Sequence, residues 1–206
     1  MKIRNFGPSV QTAYHLNFEV SQRPDFAQLM IAFLQGAYLD WKQGQARVFR
    51  LHPAGDFYSA DYIRHWITIA QTLSDWVFYG YTRTWAVPKL TENLGILRDL
   101  NNVHLYASVD QSMPSCDWPL QVWMTKEAPS GNMVRCLQER SLLVRAFRLW
   151  KREQGKPDKS KVRPHKEELR KVALAHGIRP LFCSDCGYCL YGRGSVWFKL
   201  RSNQFL

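Results

Sequence analysis

Short apolar strands alternate with amphipathic helices through the middle of the chain, and this alternation restricts the possible folds more than any other feature. Runs typical of strands lie at 47–51, 76–81 and 103–107. Apolar residues at helical spacing predict helices over 59–73, with Ser59 as the cap, and over 88–98. Alternating strands and helices favour a parallel sheet with right-handed crossovers. The sequence therefore predicts an α/β protein.

Weaker patterns extend this prediction on both sides. An apolar stripe after Pro24 predicts a helix over 25–41, and residues 121–124 resemble a further strand. Further along, the pattern predicts helices over 133–152 and 165–176, and then a closing hairpin-like tail around Trp197. The 206 residues suit one domain with a small appendage, which we place at 1–130 and 131–206.

The chain shows no apolar run near the ~20 residues that a bilayer span requires, and its first 20 residues lack a signal-peptide pattern. We therefore expect a cytoplasmic protein that does not enter a membrane.

Positive charge dominates the composition and is concentrated in one segment. The net charge is +11, and residues 145–171 contain eleven Lys or Arg against four Asp or Glu. Such a segment predicts phosphate contacts, with Trp150 and the aromatic tail around Trp197 as stacking surfaces for bases. A solvated helix face is the alternative. The residues expected to bind nucleic acid are Arg145, Arg148, Lys151 and Arg152.

Three of the five cysteines, Cys183, Cys186 and Cys189, form a C-x2-C-x2-C run. This spacing allows one loop to surround an iron-sulfur cluster, whereas structural zinc more often takes cysteine pairs from two places. We predict a metal site, with a 4Fe-4S cluster preferred over zinc. Cys136 is the expected fourth ligand. The alternatives for that position are Cys116, His165, His176 and a ligand from outside the chain.

Polar residues follow three consecutive predicted strands. They are His52 and Asp56, then Thr82 and Arg83, then Ser108 and Asp110. The loops after parallel strands line ligand sites, so these residues are candidates for chemistry. In an enzyme, Asp56 would anchor a ligand, His52 would act as acid or base, and Arg83 would hold an anion. The structural alternative is that Asp56 orders the turn or caps the helix and that His52 bonds a buried carbonyl.

The residues around this loop resemble the phage and plasmid "gene product 88" family. The resemblance rests on the motifs R-x-H-x-x-G-D-F at 50–57, Y-x-x-x-W at 62–66 and F-Y-x-Y-T at 78–82, together with the closing cysteines. It covers roughly residues 14–110 and 180–200.

The resemblance implies a distant relation to radical S-adenosylmethionine barrels, and hence a partial or degenerate (β/α) barrel-like parallel sheet with a C-terminal metal-binding cysteine segment. By position, Gly55 and Asp56 are similar to the turn that holds the methionine amino group. The resemblance then implies an S-adenosylmethionine-like ligand, with Thr82, Ser108 and Asp110 as further contacts. No cysteine precedes Cys116, so the strand that would carry the reactive cluster is not matched.

These observations lead to one functional hypothesis and two alternatives. The hypothesis is a metal-cluster-binding protein of a mobile genetic element, which acts through nucleic acid or a host nucleic-acid-processing protein. One alternative is an enzyme of radical-SAM-like ancestry that uses the pocket with His52 and Asp56. The other is a protein-binding inhibitor of a host factor.

Overall fold

The computed structural model describes residues 7–37, 47–53, 55–125, 129, 133–136, 140–155, 164–178 and 186–199. The chain forms two compact units, Met1–Val122 and Trp123–Leu206. The domain boundary expected between residues 130 and 131 lies outside the described residues and stays a prediction.

The first unit contains the predicted alternation of strands and helices. Its helices are α1 (Pro8–Ser21), α2 (Phe26–Ala37), α3 (Ala60–Thr72) and α4 (Thr91–Arg98), and its strands are β1 (Arg47–Leu51), β2 (Trp76–Thr82) and β3 (Val103–Val109). Strand β4 (Gln121–Thr125) follows and runs from the end of the first unit into the second, directly after Leu120, whose carbonyl accepts from the Ala107 N–H at 2.9 Å.

Strands β1, β2 and β3 pair in parallel and in sequence order, with Leu51 opposite Gly80 and Thr82 opposite Ala107. The expected mixed α/β architecture with parallel strands is confirmed. A Cβ at Gly80 would lie 3.0 Å from the Leu51 carbonyl oxygen, so this residue permits close approach of β1 and β2.

Helix α3 covers one face of this sheet. Its Trp66 ring lies 5.6 Å from the Phe49 ring on β1 and 6.3 Å from the Phe78 ring on β2. Phe78 and Ile63 are fully buried, and burying one such side chain stabilises the fold by about 1.5–3 kcal/mol. Ser59 caps α3 as predicted, because its Oγ accepts from the Tyr62 N–H at 3.2 Å.

Two parts of the first unit differ from the sequence expectation. The predicted helix over 88–98 begins with a short 3-10 turn, Pro88–Leu90, and only then continues as α4, and another 3-10 turn, Thr84–Ala86, precedes it. No element was predicted for α1, which starts with Pro8 in its first turn and buries only Ser21. The Ser21 hydroxyl bonds the Tyr58 hydroxyl at 2.7 Å.

The second unit contains β5 (Val134–Arg135), α5 (Arg140–Glu153), α6 (Lys166–Ala175) and β6 (Val196–Lys199). Helices α5 and α6 share a core that includes Ala146, Trp150 and Ala173. The prediction of one helix over 133–152 is wrong at its start, where the structure has the short strand β5 instead of a helix. The hairpin-like tail is also wrong, because β6 pairs with β5 in parallel. The helix expected at 165–176 is confirmed.

Among the described residues, no helix has both the length and the apolar character that crossing a membrane would require.

Candidate functional site

The loop after β1 turns through two residues with left-handed backbone. His52 has φ 46° and Gly55 has φ 88°. Glycine adopts this region freely, but a non-glycine residue rarely does, so the conformation of His52 is held by its surroundings. The turn delivers Asp56 to the carboxyl edge of the sheet.

The Asp56 carboxylate connects the loop after β1 to the end of β2. Its Oδ1 accepts hydrogen bonds from the Phe57 N–H at 2.8 Å and the Thr82 hydroxyl at 2.5 Å. Its Oδ2 accepts from the Arg83 N–H at 2.7 Å. Thr82 is only 1% exposed, so its hydroxyl depends on a protein acceptor. Asp56 therefore satisfies donors on both the loop and the strand end.

A second contact extends this connection to the third strand. The Arg83 guanidinium pairs with the Asp110 carboxylate, which directly follows β3. Asp110 also accepts from the Ser112 hydroxyl at 2.5 Å and the Ser112 N–H at 2.9 Å. Hydrogen bonds from Ser112, and to a lesser extent the charge of Arg83, hold the pKa of Asp110 below its usual value.

Sequence reasoning missed two residues that reinforce the same edge. The Thr84 hydroxyl donates to the Phe57 carbonyl at 2.8 Å, and the Trp85 indole N–H donates to the Ser108 carbonyl at 3.0 Å. Neither residue was among the predicted site residues. Their hydrogen bonds could not be predicted from the sequence, because each acceptor is a backbone carbonyl of a residue distant along the chain.

His52 is held by Tyr62 of α3 and not by a carboxylate. Its Nε2 lies 2.9 Å from the Tyr62 hydroxyl, and its Nδ1 is buried without a partner among the described residues. Burial lowers the pKa of His52 to about 4, although the nearby charge of Asp56 opposes this shift. Burial raises the pKa of Tyr62 to about 12. Both side chains are therefore neutral near pH 7.

The structure brings most of the predicted strand-end residues together. Asp56 contacts Thr82 and Arg83, and Arg83 contacts Asp110. Ser108 instead lies within β3, and it points to the opposite side from Ala107, which is the residue level with Thr82. The catalytic roles of His52, Asp56 and Arg83, and the S-adenosylmethionine contacts, stay predictions.

The cysteine prediction falls partly outside the described residues, which do not include Cys183. Cys186 and Cys189 are half-buried, and so is Cys136. In the described part of the chain, no three His, Cys, Asp or Glu side chains form a metal-binding group, and the expected role of Cys136 as fourth ligand stays a prediction. The iron-sulfur or zinc site at Cys183, Cys186 and Cys189 stays a prediction.

The four residues of α5 that were expected to bind nucleic acid divide into two groups. Arg145, Arg148 and Arg152 are exposed, and we call them the arginine face of α5. Lys151 is only 6% exposed, and its Nζ lies 5.0 Å from the centroid of the Phe147 ring, so its expected role as a surface phosphate contact is wrong. Trp150 and Trp197 are also buried, which excludes them as stacking surfaces.

The fold and the site define an α/β protein whose parallel strands end in a polar network built around one aspartate. The sequence profile of the family described as gene product 88 matches residues 1–190, and the chain therefore belongs to the gene product 88 family. No curated protein and no solved structure matches it.

Substituting Asp56 tests whether its contacts are structural. We expect Asp56→Ala to lower the free energy of unfolding by about 3 kcal/mol, because a buried donor left unsatisfied costs about 1–3 kcal/mol and the donors of two buried residues, Phe57 and Thr82, lose their acceptor. Urea denaturation followed by circular dichroism measures this loss. The exposed Asp61→Ala is the control and should change stability by less than about 0.5 kcal/mol. An equally small effect at Asp56 would favour a ligand-binding role instead.

Protonation of His52 should destabilise the fold at low pH. The pKa is 6.5 for an ordinary histidine and about 4 here, so the unfolded chain binds the proton more tightly. Stability is therefore intact above about pH 6.5 and falls as the pH drops to about 4, by about 3 kcal/mol in total.

Urea denaturation of the protein and of His52→Asn across this pH range measures the contribution. Asparagine tolerates a positive φ and does not titrate, so the variant should lose less stability on acidification. Identical pH dependence in the two proteins would show that His52 does not carry this effect.

Proposed function

We propose that the protein binds nucleic acid through the arginine face of α5, as part of the machinery of a mobile genetic element. The observation that carries this proposal is the arrangement of α5 itself. Arg145, Arg148 and Arg152 are exposed, whereas Ala146 and Trp150 are buried in the core shared with α6. The helix is therefore held by one side and presents cations on the other.

The spacing of the three arginines suits a phosphate backbone. Positions three and four residues apart lie within about 60° around a helix, and seven residues rise about 10 Å. Phosphates of one DNA strand follow each other at about 3.4 Å along the helix axis, so the arginine face matches about three of them.

The acidic residue of α5 does not neutralise this face. Glu153 contacts Nε2 of His176 at 3.0 Å. Arg145, Arg148 and Arg152 form no ion pair with another described residue, which leaves their charges available to a polyanion within that part of the chain. The net charge of +11 supports the same class of partner.

The proposal keeps a metal site as a second element, supported by the spacing of Cys183, Cys186 and Cys189. An iron-sulfur cluster or zinc there would be structural, and elemental analysis of anaerobically purified protein distinguishes the two metals.

Replacing the three arginines of the face by glutamine should weaken binding to duplex DNA and reduce its dependence on salt. Each phosphate contact contributes about 0.9 to the slope of log affinity against log salt, so the slope should fall by about 2.7. Fluorescence anisotropy at several salt concentrations measures both quantities.

The matched control replaces Arg23, Arg47 and Arg64 by glutamine. These arginines are exposed and paired with aspartates in the first unit, and their replacement removes the same charge. The control should keep most of the affinity and the slope. Equal losses in the two triple variants would show a general charge effect. A protein that does not bind nucleic acid at all would contradict the proposal and favour a protein partner.

A further inference from the structure

The face of the β1–β3 sheet opposite α3 carries aromatic and basic side chains. Residues alternate between the two faces of a strand, and α3 covers the face with Phe49 and Phe78. The other face presents Arg50 on β1, Tyr79 and Tyr81 on β2, and His104 and Tyr106 on β3. We call these five residues the tyrosine face.

The register of the strands arranges this face in two rows. Arg50, Tyr79 and His104 are level with one another across three strands, at intervals of about 4.8 Å. Tyr81 and Tyr106 form the next row, with ring centroids 5.6 Å apart. The Arg50 guanidinium lies 5.4 Å from the Tyr81 ring centroid, so a cation stands directly beside the aromatic rings.

The tyrosine face is more polar and more exposed to solvent than a normal core face. The face under α3 contains Trp76 and Phe78, which are essentially buried, but Arg50 is exposed, and Tyr79, Tyr81 and His104 are only half-buried. Tyr106 on β3 is buried, and its ring packs against the Tyr81 ring. Burial lowers the pKa of His104, so its ring is neutral near pH 7 and offers a hydrogen bond beside the tyrosines.

We propose that the tyrosine face binds single-stranded nucleic acid, with a base against Tyr79 and Tyr81 and a backbone phosphate at Arg50. Single-strand sites combine aromatic platforms for bases with cations for the backbone, and this face has both. A duplex keeps its base rings stacked inside, so the aromatic part of the face cannot contact them. Arg50 lies on β1, which among the described strands pairs only with β2, and the backbone can therefore run along that edge.

The inference goes beyond the proposed function, since it places a single strand on different residues in a different unit. The test measures the anisotropy of a labelled thymidine oligonucleotide of about 12 bases and of a duplex of equal length. Tyr79→Leu should weaken single-strand binding at least about fivefold and leave duplex binding unchanged. Tyr79→Phe keeps the ring and should bind as the unchanged protein does.

Arg50→Gln provides a second variant at an exposed position, where the fold does not depend on the side chain. It should also weaken single-strand binding, whereas Arg47→Gln on the same strand, level with Trp76, should not. Circular dichroism confirms that each variant is folded.

Three outcomes would overturn the inference. The protein does not bind the single strand; or both Tyr79→Leu and Arg50→Gln bind it with unchanged affinity; or the variants lose as much affinity for the duplex as for the single strand. If free thymidine monophosphate displaces the oligonucleotide and binds as tightly as it does, the face would be a site for a free nucleotide instead. If glutamines on the arginine face have no effect but Tyr79→Leu weakens single-strand binding, then the proposal for α5 fails while the inference stands.

Discussion

The carboxylate of Asp56 is the contact on which the polar edge of the first unit depends. It accepts hydrogen bonds from the loop after β1 and from both Thr82 and Arg83 at the end of β2. The position of Arg83 in turn allows its pair with Asp110 after β3. Removal of one carboxylate would leave buried donors unsatisfied in two elements at once, a larger cost than the loss of a surface ion pair.

The contacts of Asp56 give the strand-end residues a structural role. The two oxygens of this carboxylate already accept three hydrogen bonds from the protein. His52 beside it is neutral and bonded to Tyr62. The surfaces that we propose to bind nucleic acid are the arginine face of α5 and the tyrosine face of the sheet. Both proposals agree with the net charge of +11.

The sequence predicted the strand-helix alternation, the Ser59 cap and the convergence of Asp56, Thr82, Arg83 and Asp110, because each follows from local periodicity or from the geometry of parallel strands. Other features depend on contacts distant along the chain. Lys151 is buried against Phe147 although its side chain carries a charge, and the parallel pairing of β6 with β5 joins residues 62 positions apart. Helix α1 was missed because Leu16, Phe18 and Val20 alternate with polar residues, a pattern typical of a strand.

Amide hydrogen exchange at Arg83 tests the central contact most directly. The Arg83 N–H donates to Asp56, so it should exchange slowly although it follows the end of β2. In Asp56→Ala this protection should be lost, while the Phe78 N–H, which donates to the Asn102 carbonyl at 2.8 Å, stays protected. Rapid exchange at Arg83 in the unchanged protein would contradict the structural role of Asp56.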